Sequence, residues 1–308
     1  MRIILLGTAA GGGVPQWNCN CPICREARAG TGRVRARTQS SVAISADGQH
    51  WFLLNASPDI RSQIESAAPL RPAPPAVKTR GSAIEAVLLT NADLDHSLGL
   101  LLLREGEKLR VHASPKVQQS LTQGFSLAPT LGFFCGLEWI EPPEELMPLL
   151  YRDSSKSGLL YEAFPLPARP PRFAKDSRIA SFGHVLGYRF LDEKTGGRLL
   201  FVPQVTAFDL HLLQLLPACD ALLFDGTFWS ENEMPERGVG KLLASSMGHV
   251  PISGVAGSLK RLAELEVRHK IYTHINNTNP ILLEDSAERA AVMAAGCTVG
   301  VDGMEMAI

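Results

Sequence analysis

Short apolar runs of strand length recur along this 308-residue chain, with helix-length periodic stretches between some of them. Residues 3–6, 42–45, 52–54, 86–90, 110–113, 186–190, 199–202, Ala221–Asp225 and 270–274 have the length and composition of β-strands. Helical patterns fall at 58–66, 115–121, 207–216, 253–265 and 283–295, and Ala46-Asp47-Gly48 and Thr195-Gly196-Gly197 mark tight hairpins. The mixture predicts a layered α/β protein with a mixed sheet or a pair of sheets. Pro-rich stretches at 69–75 and 165–172 lack the composition of long flexible linkers, and no internal repeat is visible. The expected plan is one domain, 1–308, with Pro-rich loop insertions near 69–82 and 165–176.

Composition narrows the class. A mass of 33.3 kDa, 45% hydrophobic residues and a mean hydropathy of +0.04 describe an ordinary globular chain able to bury a large core. With 30 basic and 31 acidic residues the net charge is −1, which gives no electrostatic case for binding nucleic acid or an anionic membrane. No apolar run approaches the roughly 20 residues of a membrane-spanning helix, so no membrane insertion is expected. Ile3-Ile4-Leu5-Leu6 is too short for a secretory signal and reads as a first strand. Six cysteines, three of them within six residues, do not make a disulfide scaffold, and the expected compartment is the reducing cytoplasm.

That cysteine cluster, Cys19-Asn20-Cys21-Pro22-Ile23-Cys24, is the first candidate site. Three thiolates at this spacing can converge on one tetrahedral ion, which predicts a structural zinc with a fourth ligand from elsewhere. A redox role for Cys21 and Cys24 is the weaker alternative. Gly11-Gly12-Gly13 lacks the order of a phosphate loop and fits a turn needing positive φ or a close backbone approach.

The second candidate is Thr90-Asn91-Ala92-Asp93-Leu94-Asp95-His96, which follows an apolar run. Asp93, Asp95 and His96 are costly to bury together unless a cation compensates them; the plain alternative is a solvated turn capping a helix. Asp225 and His274 each end a further apolar strand, so Asp95, His96, Asp225 and His274 make a two-His, two-carboxylate set at strand ends. Such a set suits non-haem Fe(II) with open positions, and zinc-bound hydroxide is the competing chemistry. His249, in Met247-Gly248-His249-Val250-Pro251, is a candidate ligand, acid/base or anion contact, and His184 a weaker one. His50, His112, His211 and His269 default to surface or core roles, and Cys135, Cys219 and Cys297 to small buried hydrophobes.

The D-x-D-H spacing of Asp93, Asp95 and His96 resembles the second half of H-x-H-x-D-H, the metal loop of the metallo-β-lactamase superfamily, with Asn91 and Asp93 standing where two His ligands would be. More closely, the chain resembles the coenzyme pyrroloquinoline quinone (PQQ) biosynthesis protein B family. The resemblance rests on Gly7-Thr8-Ala9-Ala10-Gly11-Gly12-Gly13-Val14-Pro15-Gln16-Trp17-Asn18-Cys19, the cysteine cluster, Leu54-Asn55-Ala56-Ser57-Pro58-Asp59-Ile60, the Thr90 to His96 loop, Met247-Gly248-His249-Val250-Pro251-Ile252-Ser253-Gly254, and Thr273-His274-Ile275-Asn276-Asn277-Thr278-Asn279-Pro280.

It implies an αββα metallo-β-lactamase-like sandwich, with two mixed sheets packed between helices. It implies that Asp95, His96 and His274 hold one retained metal, that Asp93 replaces a His ligand, and that His249 faces substrate or supports the ligands. His184 matches the ligand His of the lost position, and Gln204 stands where relatives carry a bridging Asp. Relatives close the cysteine site with a His at the position of Asn277, which leaves Asn277, His269 or a water as fourth ligand.

The function so implied is PQQ biosynthesis. The leading expectation is Fe(II)-dependent hydroxylation of a tyrosine-containing intermediate derived from Glu and Tyr, with Asp93 and Asp225 tuning the metal and His249 moving protons or orienting the phenol. Expected partners are a small-molecule or dipeptide-like PQQ precursor and other proteins of the pathway. A carrier of PQQ or its precursor toward the periplasm and a mononuclear zinc hydrolase are the alternatives.

Overall fold

The computed structural model describes residues 1–72, 80–167, 170–174 and 183–308. Much of the two expected Pro-rich insertions lies outside the described residues. The chain folds into two compact units: Met1–Gly7, Ser40–Gly197 and Gly303–Ile308 form the first, Thr8–Gln39 and Arg198–Asp302 the second. The first contains β1 (Arg2–Gly7), β2 (Ser41–Ser45), β3 (Trp51–Leu54), β4 (Ile84–Leu88), β5 (Leu109–His112), β6 (Leu137–Ile140), β7 (Met147–Leu150), β8 (Lys156–Pro165) and β9 (Leu186–Asp192). The second contains β10 (Arg198–Val202), β11 (Ala221–Asp225), β12 (His269–Thr273) and β13 (Thr298–Val299), after which β14 (Met304–Ala307) returns to the first.

In the first unit one sheet runs β14-β1-β2-β3-β4-β5-β6. Its β14, β1, β2 and β3 pair antiparallel, whereas β3 to β6 pair parallel. The apolar runs are continuous because β2, β3 and β4 are buried at every position. Trp51, Leu53, Val87, Leu89, Val111 and Ile60 anchor its core, each side chain contributing about 1.5–3 kcal/mol through burial. The same unit holds the antiparallel ladder β7-β8-β9.

The second unit is built on the parallel ladder β10-β11-β12-β13. Parallel strands need crossovers, which the helices Leu210–Leu215, Ser258–Ala263 and Ala287–Ala294 supply between successive strands. The carbonyl ends of the last two are met by buried Lys270 on β12, whose Nζ donates to Leu262 O at 2.8 Å, Leu265 O at 3.0 Å and Ala295 O at 3.4 Å. Around this ladder the N-terminal segment is anchored by Ala9, which bridges to both Gln39 and Ile275. All nine expected strands form. The helices are shorter than their sequence patterns, Ile60–Ser66 and Ser258–Ala263 for example, because Pro58 and Gly257 leave the preceding residues in turns.

Candidate metal centres

In the first unit the Thr90 to His96 loop leaves the C-terminal end of β4, beside the end of its parallel neighbour β3. Asn55 follows β3 in the left-handed region, φ 64°, and its Oδ1 accepts from Thr90 N at 2.8 Å and Thr90 Oγ1 at 3.0 Å. Leu186 N donates to Thr90 O at 2.7 Å, which sets the stretch after buried His184 beside the loop. The loop closes into the short helix Leu94–Ser97 and then Gly99–Leu102. Gly99 is obligatory there, since a Cβ would lie 2.2 Å from Ser57 O.

Asn91 binds this loop together. Its Nδ2 donates to Asp93 Oδ2 at 3.0 Å, and its Oδ1 accepts from Asp93 N at 3.0 Å and from His96 Nδ1 at 2.8 Å. A proton fixed on Nδ1 leaves Nε2 as the lone-pair nitrogen of His96, and that atom lies 3.8 Å from Asp95 Oδ2. Asn91 is thus the orienting partner of His96. His96 is buried, while Asp93 and Asp95 are half-buried.

In the second unit Asp225 ends β11 and His274 directly follows β12, both buried. His249 follows the turn at Gly248, where φ is 93° and a Cβ would come within 2.8 Å of Gln204 Nε2. Asp225, His249 and His274 each place one donor atom within 4.8 Å of the others'. Asp225 Oδ2 accepts from His249 Nδ1 at 2.8 Å and Val205 N at 3.1 Å; Oδ1 accepts from Thr227 Oγ1 at 2.7 Å and Thr227 N at 3.0 Å. Thr227 Oγ1 in turn accepts from His274 Nδ1 at 2.8 Å, and the two imidazoles stack at 5.4 Å and 23°. Both rings thus direct Nδ1 into the protein framework. Phe228 covers His249 edge-on at 5.8 Å.

The cysteine cluster lies in the same unit. Cys19, Cys21 and Cys24 bring their sulfurs within 4.8 Å of one another. Amides face them: Cys21 N to Cys19 Sγ and Cys24 N to Cys21 Sγ, both at 3.4 Å. Burial drives the Cys21 thiol up to about 12, whereas at Cys19 burial is outweighed by hydrogen bonds from its neighbours and the thiol is lowered. Cys21 also caps the helix Pro22–Ala29, and Arg28 clamps the preceding turn through Cys19 O at 2.6 Å and Gln16 O at 2.5 Å. Of the expected fourth ligands, Asn277 is the side chain beside the thiols, its Nδ2 3.2 Å from Cys24 Sγ. His269 opens β12 at the end away from His274, a strand length of about 16 Å at ~3.3 Å per residue. Three thiolates with an amide beside them fit a tetrahedral zinc ion.

The structure therefore gathers Cys19, Cys21, Cys24 and Asn277 in one group and Asp225, His249 and His274 in another, while Asp93, Asp95 and His96 share one loop of the first unit. Sequence reasoning assigned no role to Thr227, Asn55 or Thr90, which hold these histidines and their loop. The signal for Thr227 was its place two residues after Asp225, where a hydroxyl can cap the carboxylate.

The beta-lactamase superfamily domain family matches residues 50–275. Coenzyme PQQ synthesis protein B of Pseudomonas entomophila is 43% identical over 99% of this chain and 99% of its own, and that of Methylorubrum extorquens is 41% identical with the same coverage. Among solved structures, Zn(2+)-bound PqqB from Methylobacterium extorquens superposes with a TM-score of 0.90 at 40% identity, each chain covered completely. A diphosphatase of the PhnP family shares the fold, with a TM-score of 0.68 at 19% identity over 99% of this chain and 97% of its own. The metallo-β-lactamase fold expected from the sequence, two mixed sheets with flanking helices, is the fold of this protein. Among the described residues no helix is long and apolar enough to cross a membrane. Matched along its whole length, the chain belongs to the coenzyme PQQ synthesis protein B family of the β-lactamase superfamily.

Proposed function

We propose that the protein acts in PQQ biosynthesis as a metal-dependent oxidative enzyme on a tyrosine-containing, dipeptide-like precursor. The observation that carries this reading is Asn91, whose amide orients His96 and Asp93 at the position where hydrolytic relatives place a metal ligand. A site remodelled in this way favours one metal with open positions over the paired metals of a hydrolase. Gln204 in place of a bridging Asp supports the same conclusion.

The family resemblance assigns Asp95, His96 and His274 to one metal position, with Fe(II) the favoured ion, and Cys19, Cys21 and Cys24 with Asn277 to a structural zinc. Iron bound there would supply dioxygen activation. Around it the protein's own groups have definable roles. Asn91 and Thr227 hold the Nδ1 atoms of His96 and His274. Asp225, with all four of its contacts taken by donors, serves as the support of His249, whose Nε2 is free to take or return the phenol proton. Expected partners are the precursor and other proteins of the pathway, and the expected compartment is the cytoplasm.

The test is metal analysis after anaerobic reconstitution with Fe(II). One zinc should persist in wild type, His96→Ala and His274→Ala, while one iron is present in wild type and absent from both variants. Cys24→Ser should lose the zinc. If wild type takes up no metal beyond the cysteine-bound zinc, the oxidative reading fails and a carrier of PQQ or its precursor takes its place.

A further inference from the structure

Within the first unit, Tyr161 on β8 and His112 on β5 form a pair that the proposed metal chemistry does not use. The phenol oxygen lies 2.8 Å from His112 Nδ1, with the rings edge-on at 5.3 Å. Both side chains are buried, at 4% and 3% exposure. The direction of the bond follows from hydrogen-bond satisfaction. A hydroxyl donating to Nδ1 leaves only Nε2 without a partner; the reverse would strand the hydroxyl proton as well. Burial pushes His112 down to about 3 and raises the phenol, so both are neutral and Nδ1 presents its lone pair to the hydroxyl.

The hydroxyls of the other three tyrosines meet oxygens instead. Tyr188 donates to Leu89 O at 2.9 Å, and Tyr272 shares a bond with Ser258 Oγ at 2.9 Å. Tyr151 donates to Ser157 O and to Asp47 Oδ2. Those two contacts, at 3.3 Å and 3.1 Å, share one hydroxyl proton and are longer than the 2.8 Å between Tyr161 and His112. The distinction matters for oxidation. A phenol that loses one electron becomes a strong acid, and Nδ1 of His112 at 2.8 Å is the lone pair in hydrogen-bond reach of its proton.

We propose that Tyr161 is a redox-active tyrosine, oxidised by a one-electron oxidant as its hydroxyl proton passes to Nδ1 of His112. The electron leaves for the oxidant, the O–H bond breaks and an N–H bond forms, giving a neutral phenoxyl radical beside an imidazolium. No partner at Nε2 draws the proton onward, so re-reduction returns it to the oxygen. An aromatic column leads to the pair: Tyr161 stacks on Phe190 at 6.4 Å, and Phe190 on Tyr188 at 6.0 Å. Tyr188 is hydrogen-bonded to Leu89, the residue before the Thr90 to His96 loop. A role as a sink for oxidising equivalents escaping from that loop rests on the oxidative reading; the redox activity of the pair does not.

The test is photo-oxidation of the full chain, without added iron, by flash-generated tris(bipyridine)ruthenium(III), followed by transient absorption and electron paramagnetic resonance. A tyrosyl radical with a solvent deuterium isotope effect is expected in wild type and Tyr151→Phe, and no tyrosyl radical in Tyr161→Phe. His112→Asn should slow its formation roughly tenfold or more, as loss of a positioned base does. A tyrosyl signal surviving in Tyr161→Phe, or an unchanged rate in folded His112→Asn, overturns the assignment. Wild type alone is also decisive, since formation without an isotope effect rules out the coupled proton. Because no iron takes part, failure here is distinct from failure of the metal-loading test.

Discussion

The two histidine-holding networks solve the same problem with different materials. In the first unit the direct holders of His96 lie in its own heptapeptide: Asn91 and Thr90 hold His96, and Asn91 also ties down Asp93. In the second, Asp225 and Thr227, at and just after the end of β11, hold His249 from a separate loop and His274 from the end of β12. A local network depends on one loop keeping its shape, whereas a distributed one makes each partner responsible for several others. The difference is that Asp225 is a carboxyl group met by four donors, and Asn91 a neutral amide, both of them buried.

The largest expected effect follows from that difference. Asp225→Ala removes the acceptor of the Val205 and Thr227 amides and of His249 Nδ1, and should cost about 3–5 kcal/mol in urea unfolding. Asn91→Ala should cost only about 1–2 kcal/mol, and equal costs would erase the distinction between the networks. Next comes metal affinity. Thr227→Val, close in shape but without the hydroxyl that His274 uses, should weaken iron binding roughly 10–100-fold by titration, and Asn91→Ala by a similar factor through His96. Thr90→Val should have the smaller effect, because Asn91 still holds His96 at 2.8 Å against 3.2 Å for Thr90. An order reversed between Thr90 and Asn91 would identify the hydroxyl as the main support.

The smallest effect concerns pH in the second unit. Glu233 is buried and accepts from Thr278 Oγ1 and Trp229 N, both at 2.5 Å, and thereby anchors the loop that carries His274 and Asn277. Burial raises its carboxyl to about 7. Between its ordinary value near 4.5 and about 7 the folded chain keeps a proton that the unfolded chain has lost, so the stability it adds is full at low pH and is lost as pH rises through 7. Unfolding free energy should fall by on the order of 1 kcal/mol from pH 5 to pH 8 through this group, and Glu233→Gln should flatten that slope. A slope unchanged in Glu233→Gln would assign the pH dependence to other groups.

The sequence exposed the parts of this design whose signals are local. Strands buried on both faces, such as β3 and β11, show as unbroken apolar runs, and the Thr90 to His96 loop shows as a chemical cluster because its members are neighbours. The longest strand, β8, escaped notice: Gly158 and Glu162 interrupt its pattern, and Leu160 puts an apolar side chain on its less buried face. Pro148 hid β7, and β13 is two residues long. The helix Pro22–Ala29 was masked because its capping residue, Cys21, belongs to a motif that draws a metal reading first. For Thr227 only the contact with Asp225, two residues away, had a local signal; its contacts with His249 and His274 come from 22 and 47 positions away.

The backbone of His274 has a consequence for how such a chain drifts over generations. Its φ of 54° lies in the region that glycine occupies freely and side-chain-bearing residues occupy at a cost of about 1 kcal/mol or more. Replacement by glycine would relieve that strain while deleting the imidazole, so folding alone would push this position toward glycine. A histidine there must be renewed by selection for what its ring does, and lineages released from that demand should lose it early, keeping the scaffold and shedding the chemistry.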